Sequence, residues 1–154
     1  PIYLLKLGYS RSEVESFLLK ESGLLGVAKR SEVEDVIRDY DKDKNCKLAV
    51  DMFVYRIVKY IGSYYVLLDG KVNAIAFTGD ISRDYPMIRQ KVASRLKALG
   101  VVIDVKKNEK LGTSEGIFSA KNSKIKLINI PPNESLIIAR MVYGFITSKR
   151  RKEA

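Results

Sequence analysis

The chain has 154 residues, 46% of them hydrophobic and 30% charged, the balance of a soluble globular protein able to bury one sizeable core. Its formal net charge is +10, with a single cysteine and no histidine. These counts exclude an internal disulfide framework, imidazole metal sites and Ser-His or Cys-His catalysis within the chain, and Arg56 and Lys59 break the longest candidate for a membrane span.

In chain order, Ser10 to Glu13 has capping-box spacing ahead of Val14, Phe17 and Leu18, which predicts a short helix over about 11–20. The stretch SGLLG at 22–26 reads as punctuation, two glycines around a leucine pair. A second capping box, Ser31 to Glu34, precedes Val33, Val36, Ile37 and Tyr40 at helical spacing. The segment from Asp39 to Lys47 has acidic or amide oxygens at alternate positions, as a calcium loop does. It lacks the loop glycine, and Met52 or Val50 stands at position twelve, so it reads as a charged connector.

From about Leu48 to Leu68 the pattern predicts the most apolar helix of the chain. Phe53, Ile57, Ile61, Tyr64 and Leu68 form its stripe, and the narrow polar strip predicts burial on most sides. Val72 to Phe77 is a short apolar run that reads as a buried strand. Thr78, Gly79 and Asp80 break it, and Pro86 opens a helix whose stripe is Ile88, Val92, Leu96 and Leu99, ending near Gly100. This is strand, tight loop, helix, and in open α/β sheets ligands sit beyond the strand's carboxyl end, where helix N-termini favour anions.

Val101 to Ile103 reads as a second strand, followed by a polar, Lys-rich stretch from Lys106 to Glu115 and then Gly116 to Ser119. Lys124 to Ile130 alternates and then turns apolar, as a strand entering a sheet does, and Pro131 and Pro132 stop it. Asn133 caps a closing helix with Glu134 in its first turn and an apolar stripe of Ile137, Met141 and Phe145. The later part is therefore β-α-β-β-α, an α/β layer architecture. A single domain is expected over 1–154, with a helical leading segment at 1–47, an α/β core at 48–148 and a basic tail at 149–154.

A +10 charge admits two readings: a surface for nucleic acid, anionic lipid or phosphorylated small molecules, or solvated lysines spread along the chain. Apart from Lys149 to Lys152 the basic residues are dispersed, which favours the second reading and leaves nucleic acid and membrane outside the expected partners. The lone Cys46 fits a reducing, cytoplasmic compartment.

Four segments together resemble, in order and spacing, the C-terminal part of acetate kinases: SGLLG at 22–26, DMFVYRIVKYIGSYY at 51–65, NAIAFTGDI at 73–81 and KIKLINIPPNESLIIAR at 124–140. The family's versions are close to SGLLG, FxYRIxKYIGxY, FTGGIGEN and IPTNEExxIAR. The opening PIYLL resembles the residues immediately C-terminal to the family's GTRSGDxDP motif, so the chain is expected to begin just after it.

The resemblance implies the C-terminal lobe of the fold shared by sugar kinases, the large heat-shock chaperones and actin, a ribonuclease H-like mixed sheet flanked by helices. It implies transfer of the γ-phosphoryl group of ATP to acetate or another short-chain carboxylate, with Mg2+, by a homodimer. The family's FTGGIGEN loop wraps the adenosine, which assigns Gly79, Asp80, Ile81, Ser82 and Asp84 to nucleotide binding. Its Mg2+-holding acid falls on Glu134. Here Asp80 and Ser82 replace two glycines, which is expected to restrict positive-φ conformations and to bring a negative charge near the phosphates. After SGLLG the family reads SGxSxDxRD, whereas VAKRSEVEDVIRD here puts Val33 and Asp35 at the Asp and Arg positions. The acyl-phosphate arginine, the histidine and the acetate pocket belong to parts of the family absent here. The fragment alone is expected to be inactive. A degenerate, non-catalytic paralogue or a basic nucleic-acid-binding module are the alternatives.

Overall fold

A computed structural model describes residues 1–152, with side chains through Thr147, so the side chains of the basic tail at 149–154 lie outside the described residues. The chain divides into two compact units, Pro1–Lys71 and Val72–Ala154.

The first unit is helical: α1 (Ile2–Lys6), α2 (Arg11–Leu19), α3 (Gly23–Ala28), α4 (Val33–Arg38) and α5 (Lys44–Leu67). The capping box that opens α2 is formed on both sides: Glu13 N donates to Ser10 Oγ at 3.3 Å and Ser10 N to Glu13 Oε2 at 2.8 Å. The second box is not. Glu32 occupies the cap of α4, and Ser31 Oγ donates instead to Glu32 Oε1. SGLLG is a helix start and not punctuation, since Gly23 opens α3, while Ser22 Oγ donates back to Phe17 O at 2.6 Å.

Both α3 and α4 pack on α5, around a core of Val36, Cys46, Ala49, Val50 and Val54. The charged connector has two structural tasks. Asp39 pairs with Arg30, and Asp43 caps α5 by accepting from Asn45 N and Cys46 N, which starts that helix four residues before Leu48. The expectation that α5 is buried on most sides fails: Cys46, Ala49, Val50 and Val54 are buried, but Phe53, Ile57 and Ile61 are half-buried, and Met52, Tyr55, Tyr60, Tyr64 and Leu68 are exposed. Burial needs a covering surface, and periodicity cannot say whether one is present. A groove of about 580 Å3 beside α3 and α5 is lined by Leu24, Val27, Ala49, Phe53, Arg56 and Tyr60, among others.

The second unit is α/β: β1 (Ala74–Phe77), α6 (Asp80–Asp84), α7 (Pro86–Ser94), α8 (Val105–Leu111), β2 (Gly116–Ile117), β3 (Lys126–Asn129) and α9 (Glu134–Lys152). The sheet is small and mixed, ordered β1-β3-β2, with β1 parallel and β2 antiparallel to β3. Phe77, Ile88, Val92, Leu96, Val101, Phe118 and Leu127 form its core, with Phe77 and Phe118 edge-to-face at 5.4 Å.

Four local expectations in this unit are corrected. The strand expected to be buried over Val72 to Phe77 runs Ala74–Phe77, with Ala74 and Ala76 exposed, Ile75 half-buried and only Phe77 buried. The helix after Pro86 ends at Ser94, and a 3-10 turn at Lys97–Leu99 carries the chain on to Gly100. Val101 to Ile103 is reduced to one antiparallel bridge, Ile103 with Ser119. The Lys-rich stretch contains α8, capped by Asp104 Oδ1 accepting from Lys107 N at 3.0 Å, with Asn108 wholly buried. Asn133 caps α9 as its sequence predicts, Leu136 N donating to its Oδ1 at 3.1 Å. The α9 stripe is not covered: Ile137, Met141 and Phe145 are 57%, 69% and 71% exposed.

Candidate functional site

The parallel pairing of β1 with β3 decides where the assigned residues lie. Phe77 and Asn129 are register partners at the ends of their strands, and Ile130 N donates to Phe77 O at 2.8 Å. The segments 78–84 and 130–134 therefore leave the same carboxyl end of the sheet from adjacent strands, the position at which open α/β sheets bind ligands. The structure thus brings the loop after β1 and the approach to Glu134 to one sheet end; the Glu134 side chain is exposed at the start of α9.

Within the loop, Gly79 has φ +86° and ψ 159°, a conformation open essentially to glycine alone, and space beside its missing side chain is clear. Asp80, Ile81, Ser82 and Asp84 all lie in the right-handed helix α6. Losing glycines at 80 and 82 therefore forbids no backbone conformation used here, which corrects that expectation; the one positive-φ position of the loop keeps its glycine. Ser82 Oγ folds back, donating to Thr78 O at 2.8 Å and Gly79 O at 3.2 Å.

The two acids of the loop share one arginine. Arg83 reaches Asp80 Oδ1 at 2.9 Å and grips Asp84 in a fork, Nε to Oδ1 at 2.6 Å and Nη2 to Oδ2 at 2.7 Å. Hydrogen bonding to Arg83 holds the Asp84 carboxyl below its ordinary pKa, and the same bond raises that of Arg83. Two carboxylates against one guanidinium leave one net negative charge on α6, the same net charge that Asp80 alone would bring, now shared with Asp84 through Arg83.

Sequence reasoning missed the residue beneath this loop. Arg89, on α7, is fully buried and uses every N–H of its guanidinium. Nε donates to Asn108 Oδ1 at 2.8 Å, Nη1 to Ser82 O and to Arg83 O at 3.0 Å, and Nη2 to Asn108 O at 3.2 Å and Gly112 O at 2.9 Å. Its plane lies over Phe118, 5.6 Å from the ring centroid. Asn108 in turn donates from Nδ2 to Pro86 O at 2.9 Å. The legible signal was a charge on an apolar face, since Arg89 lies three, four and seven residues before Val92, Ala93 and Leu96.

A second buried amide closes the sheet end: Asn129 donates to Ser114 O at 2.9 Å, while its Oδ1 has no partner among the described residues. Also among the described residues, no three Cys, Asp or Glu side chains group as a metal site, and no helix is long and apolar enough to cross a membrane. A lone carboxylate such as Glu134 fits Mg2+, which keeps several waters and takes other oxygens from substrate phosphates, and does not fit a cage of protein ligands.

The family model of the acetokinase family matches residues 2–140. The chain is 42% identical over 139 residues to the acetate kinase of Campylobacter concisus, covering 90% of this chain and 35% of that protein. The crystal structure of Porphyromonas gingivalis acetate kinase superposes with a TM-score of 0.82 at 28% identity, over 94% of this chain and 37% of that one. A propionate kinase from Francisella tularensis superposes with a TM-score of 0.77 at 36% identity, over 86% of this chain and 34% of that one. The chain thus spans about 35% of the length of the curated relative.

Proposed function

This chain belongs to the acetokinase family, and from that premise we propose that it is the C-terminal, nucleotide-side lobe of an acetate kinase-like protein. In that protein the γ-phosphoryl group of ATP passes to acetate or another short-chain carboxylate. The observation that carries the reading is the shared sheet end: the loop 79–84 and the segment leading to Glu134 leave adjacent parallel strands on the side where nucleotide clefts form.

Gly79 lets the backbone approach adenosine, Asp80, Ile81, Ser82 and Asp84 form the helical wall beside it, and Glu134 holds Mg2+ through one carboxylate. When bound, ATP would supply the transferable phosphoryl group and Mg2+ on Glu134 would offset its negative charge. The acyl side of the reaction belongs to the two-thirds of the relatives' length that this chain does not span, so the fragment alone is inactive. The exposed apolar residues of α5 and α9, Tyr60, Tyr64, Ile137, Met141 and Phe145 among them, support a lobe that the rest of such a protein covers. The whole protein is proposed as a cytoplasmic homodimer.

Asp80 and Ser82 in place of the family's glycines favour one second reading, a non-catalytic paralogue. Titration calorimetry with MgATP, together with acetyl phosphate formation by the full-length gene product, separates the possibilities. Mg2+-dependent saturable binding with turnover supports the kinase; binding without turnover supports the paralogue. Binding of nucleic acid that collapses as salt rises would replace both.

A further inference from the structure

We propose that Arg89 is the positioning residue of the nucleotide-facing segment, acting as a C-terminal cap for α6 delivered from inside the unit. The proposal rests on the reading of Gly79–Asp84 as that segment. In a continuous helix the carbonyl of Ser82 would accept from the N–H of residue 86, but residue 86 is proline and has none. Arg83 O is likewise left over, because α7 begins anew at Pro86. The guanidinium of Arg89 supplies both missing donors through Nη1.

Its other donors are anchored in a different element. Nε and Nη2 engage Asn108 and Gly112, at α8 and just beyond it, so α6 is tied to α8 through one rigid planar group. Asn108 also takes Pro86 O, which fixes the junction between α6 and α7 from the opposite side. All five acceptors are neutral oxygens; burial pushes the guanidinium's pKa down, and arginine keeps its charge in proteins. The charge is balanced by carbonyl dipoles at the C-terminal ends of α6 and α8, where the dipole of a helix is negative.

A five-residue helix has too few internal hydrogen bonds to hold its own shape. Without the clamp, α6 would sample many geometries, and each ligand-binding event would have to select one of them. A lysine cannot replace the clamp fully, because its donors radiate from one point and cannot bridge two elements in a fork.

The test compares wild type, Arg89→Lys and Arg89→Met in the full chain. Two readouts are taken under conditions where all three are folded: amide exchange at Arg83 and Tyr85, whose N–H groups close α6, and MgADP affinity by calorimetry. Exchange at Val92 and Leu127 reports the rest of the unit. Exchange in α6 is expected to accelerate by roughly tenfold or more in Arg89→Met, the scale of losing charge-assisted hydrogen bonds, with Arg89→Lys between it and wild type. Exchange at Val92 and Leu127 moves less, and MgADP affinity weakens in the same order.

Equal acceleration at all four positions, with unchanged affinity in the folded variants, would overturn the proposal by reducing Arg89 to general core support. Absence of saturable MgADP binding in wild type would sink the nucleotide reading instead, and the exchange comparison would still decide whether Arg89 holds α6. If neither Arg89 variant folds, Asn108→Ala, which removes the acceptor of Nε and leaves the charge in place, is expected to loosen α6 selectively; no change at Arg83 and Tyr85 would then refute the clamp.

Discussion

The same chemical change, glycine to alanine, is expected to have opposite signs at two positions of this chain. At Gly79 an added Cβ meets nothing within 4 Å, so no steric term enters. The whole effect is backbone strain, because φ +86° with ψ 159° is a region that non-glycine residues occupy only at a cost of about 1–3 kcal/mol. At Gly62, inside α5, the space is also clear and the backbone is helical. There alanine raises helix propensity and is expected to stabilise by about 0.5–1 kcal/mol. With a urea slope of about 2 kcal/mol per molar, Gly79→Ala lowers the unfolding midpoint of the second unit by roughly 0.5–1.5 M, and Gly62→Ala raises that of the first by about 0.25–0.5 M. Urea titration followed by circular dichroism and by amide exchange in each unit reads both shifts. A Gly79→Ala protein as stable as wild type would refute the argument, because the loop would then not be held at positive φ.

Phe118→Ala empties a fully buried site against Phe77 and Arg89 and is expected to cost about 3–5 kcal/mol, read as a midpoint shift in denaturant. Asp43→Ala removes the cap of α5 and is expected to cost about 1 kcal/mol, visible as faster exchange at Asn45 and Cys46. The Asp39 carboxyl is held below its ordinary pKa chiefly by its hydrogen bond to Arg30, so its contribution is complete above the unfolded value of about 3.9 and is lost as pH falls through the lower folded value. Arg30→Met is therefore expected to flatten the acid limb of first-unit stability, and an unchanged acid limb would show that Asp39 does not carry it. Glu134→Ala is expected to weaken Mg2+-dependent nucleotide binding; unchanged affinity reduces Glu134 to a favourable charge at a helix start.

The local chemistry that was legible in the sequence has its signal and its partner within one turn of chain. The Ser10 and Glu13 box, the Asn133 cap, the β1–loop–helix order and the four family segments all belong to this class, because capping and periodicity depend on neighbours in sequence. The second box at Ser31 had the right residues and failed, since Glu32 took the cap position one residue later.

What the sequence settled by itself is the family and the type of the longer, strongly patterned elements such as α5, β1, β3 and α9, because those rest on residue spacing. Tertiary structure alone decided which faces are covered, which polar groups go inside and how the strands pair. The Lys-rich stretch hid α8 because the burial of Asn108 depends on Arg89, nineteen residues away. The stripes of α5 and α9 promised a core, yet an apolar face is buried only when another surface meets it, and along much of both helices none does among the described residues. In the sequence Arg89 shows only as a charge on an apolar face; its task emerges when the fold brings the guanidinium to the carbonyl that Pro86 leaves without a donor.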